Sequence, residues 1–393
     1  MGIFSGNKNK DELILALDVA SSSVGAALFY SSVGNVPQII FSVREHLSIA
    51  DEVTFDRLLL EASQALEVVA DKALKAGLGA PSKIFCVLSS SWYVSQTRVV
   101  RLEKNTPFIF TSKFADSLIA REVALFEEEY IKEYSDTEHH FRPIELKNIK
   151  TTLNGYETIE PLAQSVKELQ MDIFISMSEE RVLQAFEKSI KTHFHHREIK
   201  FTSFVMTSFV AVRDMYVHQD NFLLMDIGGE VTDITMVKKN VLRESVSYPI
   251  GHNAVIRALS KSLGVGPNEA HTLFSLYQEG HAAETVVKKL EVALKDIKVE
   301  WLKNFQSTLA NLSNDISVPA AIFLAVNAPY EEFFADIIRN EQFNQYTLTN
   351  SKFQIIFLNT RSLHGAAIYE ESVVRDPFLI LDAIYINRFL NKI

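Results

Sequence analysis

Two segments of the sequence share one strand–turn–strand pattern, and they lie about half the chain apart. Residues 13–30, LILALDVASSSVGAALFY, and residues 221–239, NFLLMDIGGEVTDITMVKK, each contain an apolar run that reaches an aspartate, Asp18 or Asp226. One hydrophobic residue and two small residues follow, and the strand pattern then resumes. A single such segment is typical of a tight turn. Two copies about half a chain apart indicate that the second half of the chain repeats the pattern of the first.

The turns of these hairpins are suited to phosphate binding. Glycine allows positive φ and close approach of a backbone, and serine supplies a hydroxyl beside an unobstructed N–H group. Asp18 and Asp226 could each hold a hydrated divalent cation that bridges phosphate oxygens. Two facing hairpins therefore predict a nucleotide–metal clamp, whose small residues are Ser21, Ser22, Ser23, Gly228 and Gly229.

Composition limits the class of protein. With 393 residues, 47% of them hydrophobic, the chain can bury a large core and should divide into two or more domains. A net charge of −10 gives no general attraction to nucleic acid. The single cysteine, Cys86, excludes an internal disulfide framework and favours a reducing, cytoplasmic compartment. Neither a signal peptide nor a membrane-spanning helix is predicted, since the longest uncharged run, residues 316–330, is short and contains two prolines.

Three stretches resemble the actin, sugar kinase and Hsp70 superfamily, and in particular its bacterial FtsA and PilM branch. The opening residues, MGIFSGNKNKDELILALDVASSSV, are similar to the start of PilM-type chains. Residues 248–274, YPIGHNAVIRALSKSLGVGPNEAHTLF, are similar to the segment that follows the second hairpin in both families. Residues 153–190 resemble an FtsA hairpin turn and the strand that returns to the first lobe.

The resemblance implies an α/β fold of the actin-like, ribonuclease H-like type, with two lobes and an inserted small α+β subdomain of the SHS2 or 1C type. The first lobe would comprise residues 1–92 and 172–220, and the insertion residues 93–171. The second lobe would comprise residues 221–393, with a helical part at about 253–318. In such families the insertion contacts partner proteins or the next subunit, so a protein partner and self-assembly are both expected.

The resemblance also implies ATP and Mg²⁺ as ligands. Asp18 and Asp226 would organise Mg²⁺ through water, while the serines and glycines of the two turns would contact phosphates. Thr232 would add a hydroxyl near the second hairpin, and Gly251 would allow close packing beside the nucleotide.

Several positions depart from the family pattern. Residues 326–329, Val-Asn-Ala-Pro, stand where paired glycines would approach an adenosine, so adenine binding is expected to be weak or lost. Gly25 and Ala26 stand where a lysine or similar polar residue often lies. No water-activating residue can be assigned, which predicts at most slow ATP hydrolysis. Glu230 and Asp233 are the nearest carboxylates, and turn capping and surface solvation explain both.

The predicted function is that of a cytoplasmic scaffold, linking an active or vestigial nucleotide site to assembly of a membrane-associated division or type IV pilus machine. The alternatives are a sugar-kinase-like phosphotransferase and a nucleotide-free interaction protein. Residues 376–393 form an apolar segment that either binds the membrane peripherally, as an amphipathic helix, or packs on the second lobe. The histidines near residues 139–140 and 193–196 lack the ligand set of a standard zinc site.

Overall fold

A computed structural model describes residues 12–134, 140–195, 197–312, 317–343, 345–347 and 352–391. The opening decapeptide, His139, His196 and the last two residues lie outside this described part. The described chain forms three separate β-sheets with helices packed around them. None of its described helices combines the length and apolar character needed to cross a membrane.

The first sheet has six strands in the order β15-β3-β2-β1-β4-β9. Its strands are β1 Glu12–Val19, β2 Ser23–Ser31, β3 Gln38–His46, β4 Lys83–Leu88, β9 Ile199–Ser203 and β15 Ile368–Tyr369. Four helices pack in the core of this lobe: α1 Phe55–Lys75, α3 Glu180–His193, α4 Phe204–Met215 and α9 Pro377–Asn391. Because helices cover it, β1 and β2 are buried along nearly their whole length.

The second sheet has five strands in the order β12-β11-β10-β13-β14. Its strands are β10 Phe222–Ile227, β11 Thr232–Lys238, β12 Val241–Tyr248, β13 Ala321–Val326 and β14 Gln354–Phe357. The helices of this lobe are α5 Asn253–Leu263, α6 Pro267–Gln278, α7 Glu284–Leu312 and α8 Glu331–Arg339, and a 3₁₀ turn spans Ala328–Tyr330.

The two sheets repeat one topology. In each, the strand that ends at the aspartate pairs antiparallel with the next strand and parallel with a later one: β1 with β2 and β4, β10 with β11 and β13. An antiparallel strand, β3 or β12, then extends one side, and a parallel strand, β9 or β14, extends the other. The duplication predicted from the sequence is therefore confirmed in the fold.

The third sheet lies between β4 and α3 in the chain and has its own hydrophobic core. Its elements are β5 Val94–Ile109, α2 Ser112–Tyr134, β6 Phe141–Leu153, β7 Tyr156–Glu157 and β8 Ser165–Glu179, with strand order β5-β8-β6-β7. The predicted return to the first lobe at residue 172 lies inside β8. Alternate side chains of β8 face two cores, because Ile173 and Ile175 pack in the inserted sheet while Phe174 packs in the first lobe.

The C-terminal segment corrects the predicted extent of the second lobe. β15 pairs with β3 and α9 packs in the first-lobe core, so residues 368–391 return to the first lobe. The apolar side chains proposed to face a membrane are largely buried in protein, for example Leu379, Tyr385 and Ile386. A helix that is apolar on most of its circumference requires protein on several sides, which explains this packing.

Candidate functional site

The structure brings the two aspartate hairpins into direct contact. The backbone N–H of Glu230 donates to Ser21 Oγ at 3.0 Å. A Cβ placed on Gly229 would lie 2.8 Å from the Cβ of Ser22 and 3.0 Å from its backbone nitrogen. The turns predicted to surround a phosphate therefore pack against each other, and glycine at position 229 is what allows the approach.

Gly251 packs on the second hairpin. A Cβ at this position would lie 2.3 Å from the carbonyl oxygens of Gly228 and Gly229. Just after it, His252 N donates to Gly228 O and Asn253 N donates to Gly229 O, each at 2.9 Å. The predicted close packing at Gly251 is present, and its neighbour is the backbone of the hairpin.

Thr232 is fully buried, and its hydroxyl is already engaged. It donates to the carbonyl oxygen of Ile250 at 2.6 Å and accepts the indole N–H of Trp301 at 3.2 Å. These bonds fasten the second hairpin to the turn before Gly251 and to α7. The hydroxyl predicted to face a ligand thus serves the packing of the lobe.

Asp18 lies at the end of β1 and pairs with an arginine that the sequence analysis did not single out. Arg44 Nη2 lies 2.7 Å from Asp18 Oδ2, and Arg44 Nε lies 2.5 Å from Asp376 Oδ2. Burial raises the pKa of Asp18, and Arg44 opposes that rise. The Asp226 carboxyl also has a pKa well above its ordinary value, because of burial first and then the neighbouring carboxylates Asp233 and Asp18.

The end of the site predicted to meet an adenosine is filled by side chains. Asn327 Nδ2 lies 3.1 Å from His252 Nε2, and the His252 ring stacks on Tyr330 with 4.5 Å between ring centroids. Burial lowers the pKa of His252 to about 3, so this imidazole is neutral at physiological pH. Tyr330 in turn stacks on Phe274. The departure noted at residues 326–329 corresponds to a packed stack of side chains.

The space between the two hairpins is too small for a magnesium–triphosphate group in this arrangement. The cavity between the hairpins has a volume of about 10 Å³, which is room for about one water molecule. Its lining includes Asp18, Asp226, Gly228 and the Arg44 side chain. Glu230 does not face this space, because it is bonded to Asn253 and accepts a bidentate pair from Arg257 at 2.7 and 3.0 Å.

A second and much larger cavity, here called the large groove, lies between the inserted sheet, the first lobe and the second lobe. Its volume is about 610 Å³. The edge strands β5 and β12 line it, together with the end of β8 and the start of β11. Many of its lining residues are aromatic or carry hydroxyls: Phe55, Ser90, Ser91, Trp92, Tyr93, Ser95, Tyr130, Phe141, Ser178, Thr235, Ser245, Ser247 and Tyr248. No signal in the sequence indicated this groove, since its walls come from distant segments.

Asp233 is a carboxylate in the wall of the large groove. It accepts hydrogen bonds from the hydroxyls of Ser247 and Ser90. Burial raises its pKa to about 6, and the two hydroxyls only partly offset that rise. The sequence predicts turn capping or surface solvation for Asp233, whereas the structure places it opposite Asp226 on the neighbouring strand.

The raised pKa of Asp233 predicts a pH-dependent stability. The folded state holds this proton up to about pH 6, and the unfolded chain releases it near 3.8. The stabilisation that this bound proton gives the folded state is therefore fully present below pH 3.8 and lost as pH rises through 6. It amounts to at most about 3 kcal/mol in the free energy of unfolding. In thermal melts, Asp233→Asn should match the parent near pH 4 and become more stable above pH 6. Asp51→Asn, on an exposed loop, is the control, and equal pH profiles for both variants would contradict the assignment.

Comparison with known proteins identifies the fold. No family model matches the sequence, and no curated protein matches it. A chain of the PilM–PilN type IV pilus biogenesis complex aligns with 11% identity over 96% of this chain and 97% of that one, at a TM-score of 0.62.

Two further solved structures align less well. The ethanolamine utilization protein EutJ from Carboxydothermus hydrogenoformans has 10% identity and a TM-score of 0.44 over 98% of this chain and 92% of its own. A Bacteroides thetaiotaomicron protein with actin-like ATPase fold and unknown function has 9% identity and a TM-score of 0.44, over 92% of this chain and 98% of its own. Of these three matches only the PilM–PilN chain exceeds 0.5, and together with the duplicated sheets it confirms the predicted actin-like fold.

Proposed function

We propose that this actin-like chain is a PilM-like assembly protein, which holds a segment of a partner protein in the large groove. The observation that carries this proposal is the groove itself, a cavity of about 610 Å³ between three parts of the fold. Its size is within the range of specific binding sites, about 300 to 1,000 Å³. The similar solved chain comes from a complex named for PilM together with PilN, which supports a protein as the ligand.

The strands around the groove favour an extended segment as the ligand. β5 is an edge of the inserted sheet, and β12 is an edge of the second sheet. Within the described residues, each pairs with a single neighbouring strand, β8 and β11 respectively. An edge strand presents N–H and C=O groups to which an extended peptide can add, while pockets between side chains supply specificity.

The charges around the groove favour a basic residue in that segment. Two carboxylates, Asp233 and Glu179, line it, and among the described residues its lining contains no lysine, arginine or histidine. Glu179 is paired with Arg181 at 2.5 Å, so Asp233 is the acidic group whose described partners are hydroxyls. Aromatic rings such as Trp92 and Tyr248 add faces on which a cation or apolar side chain can lie.

This proposal extends the partner surface beyond residues 93–171. Residues of β11 and β12 in the second lobe line the groove together with β5 and β8 of the insertion. The Arg243 side chain of β12 also reaches Asp172 of β8, with Nη1 3.3 Å from Oδ2. A ligand in the groove would therefore contact both lobes, and a cytoplasmic protein would be brought to the membrane by its partner.

The other functions predicted from the sequence have less support. A sugar-kinase-like phosphotransferase requires an open cleft between the hairpins, where the cavity is about 10 Å³. A role in division, in place of a role in pilus assembly, has no observation of its own. Self-assembly and an SHS2-type identity for the inserted sheet stay predictions.

A blocked groove tests the proposal. Ser247→Trp should fill the groove, because Ser247 is exposed and lines it. Ser165→Trp is the matched control, since Ser165 is an exposed serine at the start of β8 and is absent from the groove lining. The probes are synthetic peptides from the cytoplasmic segments of membrane proteins encoded beside this gene, with binding followed by fluorescence anisotropy.

We expect at least one peptide to bind both the parent protein and Ser165→Trp. The same peptide should bind Ser247→Trp at least about tenfold more weakly, which corresponds to about 1.4 kcal/mol. Asp233→Asn should weaken the binding of peptides that carry a basic residue more than it weakens the binding of the same peptides with alanine at that position. Equal binding to both tryptophan variants would place recognition outside the groove. An equal effect of Asp233→Asn on both kinds of peptide would keep the groove and reject the basic residue.

A further inference from the structure

We propose that Arg44 is the built-in cation of the hairpin pair, and that this site acts as a structural joint which takes up no magnesium nucleotide. The inference is independent of the large groove. It follows from the position of the guanidinium group, from the glycine that makes room for it and from the helix that it fastens.

The guanidinium group of Arg44 is bonded on each of its nitrogens. Nη2 donates to Asp18 Oδ2 at 2.7 Å and to Asp376 Oδ1 at 3.1 Å. Nε donates to Asp376 Oδ2 at 2.5 Å, and Nη1 donates to Ser23 Oγ at 2.9 Å. One oxygen of Asp18 and the hydroxyl of Ser23, two groups predicted to serve a bound metal and phosphate, are thus bonded to one side chain of the same lobe, while Asp18 Oδ1 is buried without a described partner.

Gly25 provides the space for this arrangement. It faces Arg44 across the β2–β3 pair, and a Cβ at position 25 would lie 2.8 Å from Nη2 and 3.0 Å from Cζ. A side chain there would displace the guanidinium group from Asp18. The sequence has Gly25 at a position where a lysine or similar polar residue often lies, and the structure gives a reason. The cation of this site is Arg44 on β3, and it needs the space that a side chain at position 25 would fill.

The same contacts fasten the C-terminal helix. Asp376 Oδ1 accepts from the backbone N–H groups of Phe378 and Leu379, at 3.0 and 3.2 Å, and so caps α9. The Phe378 ring lies 5.4 Å from Arg44 Cζ. Arg44 consequently connects the first hairpin to the start of α9, although the chain between them is more than 300 residues long.

A bound metal would compete with this arrangement. Asp18 is 1% exposed, and the Arg44 and Asp376 side chains are 13% and 12% exposed. A divalent cation at Asp18 would lie against the guanidinium charge in a poorly solvated site, where like charges repel strongly. Arg44 would have to leave Asp18 Oδ2 before Mg²⁺ could bind that oxygen.

Stability measurements test the joint. Arg44→Met removes the charge and keeps the chain length, and leaves two carboxylates without their cation. We expect the Tm of the full chain to fall by about 5 °C or more, and the α9 amides to exchange hydrogen at least about tenfold faster. Arg57→Met is the control, because Arg57 also forms an ion pair but is 53% exposed. Its Tm should stay within about 1 °C of the parent.

Neutral side chains at the two carboxylate positions should restore part of the Tm that Arg44→Met loses. Arg44→Met combined with Asp18→Asn and Asp376→Asn removes the unpaired charges and should recover at least half of the lost Tm. If Arg44→Met does not fold, Asp376→Asn alone retains a capping oxygen and should still speed exchange in α9. Equal Tm values for Arg44→Met and Arg57→Met would contradict the proposed structural role of Arg44. Unchanged hydrogen exchange of the α9 amides in Asp376→Asn would contradict it as well.

A nucleotide measurement tests the second half of the proposal. A ligand that binds the folded state raises Tm, so we expect no rise when Mg-ATP or Mg-ADP is added in millimolar amounts to the parent protein. A Mg²⁺-dependent rise that Asp226→Asn abolishes would overturn the proposal. A rise that Asp226→Asn leaves unchanged would place the nucleotide outside the hairpin pair, in agreement with it.

Discussion

Replacing Gly251 by alanine should destabilise the protein by about 3 to 5 kcal/mol, the sum of an overpacking cost and two lost hydrogen bonds. The added methyl group would lie 2.3 Å from two backbone oxygens, those of Gly228 and Gly229. Backbone atoms cannot rotate away as a flexible side chain can. Relief of the clash therefore requires the turn to separate from the hairpin, which breaks the bonds from His252 N and Asn253 N.

Gly266→Ala is the matched control for Gly251→Ala. A Cβ on Gly266 would meet nothing within 4 Å, and the backbone there is extended, with φ −71°. Urea denaturation of both variants, followed by tryptophan fluorescence, measures the difference. We expect a large fall in the midpoint for Gly251→Ala and a much smaller one for Gly266→Ala, which changes only the N-cap residue of α6. Similar midpoints would show that the turn can move away from the hairpin at little cost.

The duplicated hairpins could be predicted because their signals are local. Each consists of an apolar strand, one aspartate and a few small residues, and this short pattern needs no knowledge of distant contacts. The same locality explains why the strand pairs β1–β2 and β10–β11 lie where the sequence placed them. Gly251 was also identified from its segment, although its actual neighbour is backbone.

Arg44 could not be found in this way. It lies in β3, where nothing in the local sequence marks it as a site residue, and its two carboxylate partners are 26 and 332 residues away. The large groove was equally invisible, since its walls come from three parts of the fold. Contacts between residues far apart in the chain depend on the tertiary structure, so they produce no motif of fixed spacing that a single sequence could show.

The C-terminal helix shows a further limit. Its apolar composition indicated burial or membrane contact, and the structure shows that it packs on the first lobe. Composition cannot specify which lobe receives a helix, because both offer apolar surface. Polar contacts with the first lobe accompany this packing, such as those of Asn387, which accepts from Ser31 Oγ at 2.7 Å and donates to Asn35 O at 2.8 Å.

Trp301→Ala should also destabilise the protein by about 3 to 5 kcal/mol, the usual range for a buried tryptophan. Trp301 is fully buried in the second lobe, where it stacks on Phe305 at 5.4 Å and contacts Phe334 at 5.1 Å between ring centroids. Its removal leaves a large cavity beside α7. It also removes the indole N–H that donates to Thr232 at the start of β11.

Thr232→Val separates the two effects, because it keeps the volume and removes the hydroxyl. The indole N–H of Trp301 and the carbonyl of Ile250 would both lose their partner, at a cost of about 1 to 3 kcal/mol. If α7 supports the second hairpin through this hydroxyl, both variants should speed amide exchange in residues 228–232. Fast exchange in Trp301→Ala alone would show that packing, and not the hydrogen bond, holds the hairpin against the Gly251 turn.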